Sequence, residues 1–76
     1  MNFQNAIQVL AQGRGIDPTV EWDAQIDEAR SVVTRAVLAI IGGRDDNGAL
    51  SDWIAAGEFS GAETPESIAN EWKEAA

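Results

Sequence analysis

Apolar residues recur along this chain at helical spacing. Phe3, Ala6, Ile7, Leu10 and Ala11 stand at i, i+3, i+4, i+7 and i+8, which places them on one face of a helix. Asn2 precedes them as a cap able to accept a bond from an orphan N–H, and Gly13 follows as a stop. The pattern predicts a helix over about 3–12, with Gly13-Arg14-Gly15-Ile16 as a turn.

Asp17-Pro18 is a second start signal, because Asp caps and Pro suits the first helical position, where its missing donor costs nothing. No breaker follows until Gly42-Gly43. Trp22, Ile26, Ala29, Val33, Ala36, Val37 and Ile40 form a stripe along this stretch, so a long helix over about 18–41 is expected to be the spine of the fold. Acids at its beginning (Asp17, Glu21, Asp23) and arginines in its middle and towards its end (Arg30, Arg35, Arg44) suit the helix macrodipole. Val32, Leu38 and Ile41 add apolar surface off the stripe. That end of the helix is therefore expected to be covered on a second side, by another helix or by a second copy of the chain.

Arg44-Asp45-Asp46-Asn47-Gly48 reads as a loop, Asn-Gly being a strong turn dipeptide. Leu50, Trp53 and Ile54 then share a face of a short helix over about 48–56, which Gly57 closes. Phe59 is expected to fold back on the core. After a second loop at Ser60-Gly61-Ala62-Glu63, Thr64-Pro65 repeats the cap-then-proline signal, and a fourth helix over about 65–75 turns Ile68, Trp72 and Ala75 inward. No segment alternates at period two, so the fold class is all-α. The expectation is one domain over 1–76, a small bundle of four helices with the long one at its centre.

Composition narrows the function classes. The 76 residues contain no Cys and no His, which removes disulfides, thiolate and imidazole ligands, and the usual activated nucleophiles. The only lysine, Lys73, lies among glutamates on the last helix, where a solvated role is expected rather than catalysis. Gly13-Arg14-Gly15 lacks the rest of either nucleotide fingerprint and no strand precedes it. Around Asp45, Asp46 and Asn47 the spacing fails that of a calcium loop. Neither an enzyme nor a bound cofactor or metal is expected.

Met1 to Asn5 lacks a basic segment leading into an apolar run, and the longest uninterrupted apolar run, 36–41, is far short of the roughly 20 residues a bilayer needs. A cytoplasmic protein that does not enter the membrane is expected.

Thirteen acids face five bases, for a net charge of −8, which argues against direct binding of nucleic acid. Eight of the acids and only two of the bases fall in residues 44–76, so that segment carries most of the excess. Charge of this kind keeps a small domain soluble, and it also suits a basic partner.

Trp is enriched where proteins meet, and three in a short chain is a high content. Trp22 is expected in the core, whereas Trp53 and Trp72 sit on helices too short to bury an indole easily. The candidate partner-binding residues are therefore Asp45, Asp46, Asp52, Trp53, Glu58, Glu63, Glu66, Glu71, Trp72 and Glu74, and the candidate self-association residues are Val32, Leu38 and Ile41. In size and charge the chain resembles the small acidic proteins that phages encode against host machinery, such as anti-restriction and anti-CRISPR proteins. That resemblance implies an inhibitor or adaptor imitating phosphates on a basic protein surface. The alternative is an assembly protein that forms a homodimer.

Overall fold

The structure is a computed structural model and describes residues 1–12, 20–44 and 48–75, with the backbone alone for 20–23. The described residues form four helices: α1 (Phe3–Gln12), α2 (Val20–Ile41), α3 (Ala49–Ala56) and α4 (Pro65–Ala75). Among the described residues there is no strand. The radius of gyration, 11.8 Å, is close to the roughly 11 Å expected of one folded unit of this length. The expected signals at Gly13 and Asp17-Pro18, the side chain of Trp22, and Asp45, Asp46 and Asn47 lie outside the described residues.

Local chemistry sets the ends. Asn2 Oδ1 accepts from the Asn5 N–H at 2.8 Å, which caps α1. The α2 helix ends on Gly42 at φ +73°, whose N–H donates to the Leu38 carbonyl at 2.8 Å, a left-handed C-terminal cap that Gly adopts without steric cost. Arg44 lies beyond this cap, so the last turn of α2 carries no base, contrary to the dipole pattern read from the sequence. At α4, the Ser67 N–H donates to Thr64 Oγ1 at 3.1 Å, while the Thr64 N–H donates to Ser67 Oγ at 3.0 Å. This is a reciprocal capping box with Ser in the place that Glu or Gln more often fills.

Helix α2 packs against each of the other three, which makes it the spine. Ala6 and Ile7 from α1, Ala29, Val33 and Val37 from α2, Leu50 and Ile54 from α3, and Ile68 and Ala69 from α4 form the buried core. Phe59 packs against that core from the loop after α3. Thr34 is buried too, and its hydroxyl donates to the Arg30 carbonyl at 2.7 Å, so the polar group is satisfied one turn back.

Two inward faces differ from the sequence reading. On α2 the buried positions follow the i+4 row through Ala29, Val33 and Val37 and reach Ile41, so Ile40, a turn of about 100° away, is 45% exposed. The stripe drawn from Trp22 had placed Ile40 inside. On α4, Ala69 is buried and Ala75 is exposed, because the inward row runs through Ile68 and Ala69 and the final turn passes the edge of the core.

Candidate protein-binding surface

The C-terminal helices carry acids outward because their apolar faces are held inward. On α3, burial of Leu50 and Ile54 turns Asp52 to solvent. On α4, burial of Ile68 and Ala69 does the same for Glu66, Glu71 and Glu74, and Glu58 is exposed in the intervening loop. Among the described residues the ion pairs are elsewhere. The terminal ammonium of Met1 meets Glu28 at 3.3 Å, and Arg30 meets Asp27 at 3.5 Å on the surface of α2. The five exposed acids of α3, the loop and α4 are therefore not neutralised by any base of the described chain.

Glu63 behaves differently. Its carboxylate turns back on its own loop, where Oε2 accepts from the Ser60 N–H at 2.8 Å and Oε1 from the Gly61 N–H at 3.0 Å, with the Ser60 hydroxyl at 3.3 Å from Oε2. Partial burial pushes the Glu63 carboxyl up, but donation by the backbone N–H groups of Ser60, Glu63 and Gly61 and by the Ser60 hydroxyl outweighs it and holds the group below its ordinary value. Read from the sequence as a docking acid, Glu63 instead fastens the α3–α4 connection.

A pH dependence follows with a definite sign. The lowered group adds stability above its unfolded pKa, and that contribution fades as pH falls through the ordinary carboxylate range towards the folded value. Glu63→Gln is expected to narrow the stability difference between neutral and acid pH. Thermal melts of both proteins across that range check this; an unchanged pH profile would contradict the assignment.

The connection is also tied to α1, where Gln8 Nε2 donates to the Gly61 carbonyl at 2.9 Å. Beside this tie lies a cleft of about 280 Å³ lined by Phe3, Gln4, Ile7, Glu63, Thr64 and Pro65 among others. Leu10, Ala11, Gly57, Glu58 and Phe59 line a second cleft of about 250 Å³. In the first, the acid is already engaged by backbone donors, and in the second Glu58 is the only ionisable group among the described residues. Among the described residues no group of three or more acids is placed to hold a metal ion.

The two C-terminal tryptophans meet one another. Their ring centroids are 5.3 Å apart with planes inclined at 54°, a tilted aromatic pair linking α3 to α4. Each packs against the core on one side and remains partly exposed on the other. The structure thus brings Trp53 and Trp72 together and places Asp52, Glu58, Glu66, Glu71 and Glu74 on the same two helices and their connection. Val32, Leu38 and Ile41, marked by the sequence as a surface for a second copy, are partly buried and pack against the chain's own core. The large apolar residue exposed near that end of α2 is Ile40, which the stripe from Trp22 places inside.

No helix among the described residues is long and apolar enough to cross a membrane. In comparisons with known proteins, the chain matches no family model, no curated protein and no solved structure at a significant level.

Proposed function

We propose that this chain is a docking protein that binds a basic surface of a protein partner through α3, α4 and their connection. The observation that supports the reading is the set of five exposed acids, Asp52, Glu58, Glu66, Glu71 and Glu74, which form no ion pair among the described residues, on the same two helices and connection as a partly exposed tryptophan pair. Like charges held on one small fold repel one another, and a partner's cations relieve that repulsion while steering the encounter. Such a surface suits an inhibitor or adaptor that occupies a site built for phosphates, the role implied by the chain's likeness in size and charge to phage-encoded inhibitors.

The test compares the protein with a variant carrying Asp52→Asn, Glu58→Gln, Glu66→Gln, Glu71→Gln and Glu74→Gln, which keeps side-chain shape and removes charge. Captured from cells, the partner is expected to be a basic protein that is released as salt rises and is not retained by the neutral variant. A partner held equally well by both forms would overturn the reading.

Self-association is a second reading, favoured by the exposure of Ile40. It ranks below the first because Val32, Leu38 and Ile41 contribute to the chain's own packing, and a single exposed aliphatic residue is ordinary for a monomer. Sedimentation separates the two: a dimer that Ile40→Ser dissolves favours assembly, whereas a monomer at high micromolar concentration contradicts it.

A further inference from the structure

We infer that the Trp53–Trp72 pair is a seat for an arginine side chain of the partner, an inference that rests on the docking reading and names the group at its centre. The seat is defined by the rings rather than by the acids. Two indoles from different helices stand 5.3 Å apart at 54°, each packed on the core at one side and open to solvent at the other. A half-covered indole is a large, fixed π surface, and at that separation the two rings form one continuous aromatic patch.

The charge beside the patch selects its guest. Asp52 immediately precedes Trp53 and Glu71 immediately precedes Trp72, and both are exposed. Lys73 immediately follows Trp72 and is exposed as well, so the charges flanking the two rings, Asp52, Glu71 and Lys73, sum to −1. An anion is repelled from this rim, and a purely aliphatic anchor gains from the rings but gains nothing from the carboxylates around them. A guanidinium uses both. It is flat and weakly hydrated, stacks on an indole face, and keeps its edge N–H donors free for carboxylates, whereas a lysine ammonium is compact and strongly hydrated and gives up more water to approach a ring.

The experiment titrates the full chain with two capped peptides, hexa-arginine and hexa-lysine, by calorimetry and by following the indole N–H signals. Both peptides are expected to bind more weakly as salt rises. Hexa-arginine is expected to bind about three- to tenfold more tightly than hexa-lysine and to shift the Trp53 and Trp72 indole signals. In Trp72→Leu the preference for arginine is expected to fall close to unity while the salt dependence remains. Should that variant unfold, Trp53→Phe combined with Trp72→Phe keeps two smaller rings in place and is expected to reduce the preference in the same direction.

Equal binding of the two peptides, unmoved indole signals, or a preference that survives loss of the rings overturns the arginine seat and leaves the docking reading standing. If neither peptide binds at low salt, the docking reading itself fails and the seat fails with it.

Discussion

Ile54→Ala is expected to lower stability by about 2–5 kcal/mol, whereas Ile40→Ala is expected to change it by less than about 1 kcal/mol. The two residues have the same side chain and both lie on helices, so the contrast isolates burial. Ile54 is fully buried, and with Leu50 it is one of two buried side chains on α3, a helix of eight residues. So short a helix has little intrinsic stability and owes its existence to packing. Removing the Ile54 branch leaves a cavity between α3 and α2 that neither backbone can close easily. Domains of this size typically have a few kcal/mol in reserve, so the variant should be largely unfolded, or nearly so, at ambient temperature. Ile40 is 45% exposed, and Ala at an exposed helical site regains some stability through its higher propensity. Urea titrations followed by helical circular dichroism check both values. Equal losses would mean that the end of α2 is turned about 100° from the orientation described.

The second large effect is expected at Gly61. Its φ of +101° is strained for any residue with a Cβ, and an added Cβ would lie 3.0 Å from Gln8 Nε2. Gly61→Ala should therefore destabilise by about 1–3 kcal/mol, through backbone strain and through displacement of the Gln8 amide from the Gly61 carbonyl. The two parts separate in a double-mutant cycle. In a Gln8→Ala background the contact is already gone, so Gly61→Ala should cost less there, by roughly the 0.5–1.5 kcal/mol of one hydrogen bond. Strictly additive losses would show that Gln8 and Gly61 do not act on one another.

Helix positions were legible in the sequence wherever a residue has one strong local preference. Thr64-Pro65 and Gly42 mark ends because capping oxygens, a missing N–H and a left-handed glycine act within one turn, whatever the rest of the chain does. Orientation at the margins was not. Ile40 and Ile41 are neighbours about 100° apart, and which of them faces inward depends on where α3 and α4 lie against α2. Ala69 and Ala75 exchange roles on α4 for the same reason.

In the candidate surface, the exposed acids followed from the helical pattern, since burial of the apolar face leaves Asp52, Glu66, Glu71 and Glu74 no other direction. Glu63 did not follow, because a short loop can fold its backbone N–H groups around a carboxylate without any mark in the spacing of residues. Trp53 and Trp72 were each legible as partly buried. Their contact was not, because it joins two side chains nineteen residues apart in sequence that meet only once α3 and α4 are both packed on α2.

That contact joins folding to binding. The same pair of rings fastens α3 to α4 and meets solvent, so a guest resting on them adds weight to the folded side of the equilibrium. A ligand present at a hundred times its dissociation constant contributes about 2.7 kcal/mol, which is comparable with the whole reserve of a domain this small. Survival of the chain against proteolysis would then follow the abundance of whatever it holds, and an idle copy would be the first to be cleared.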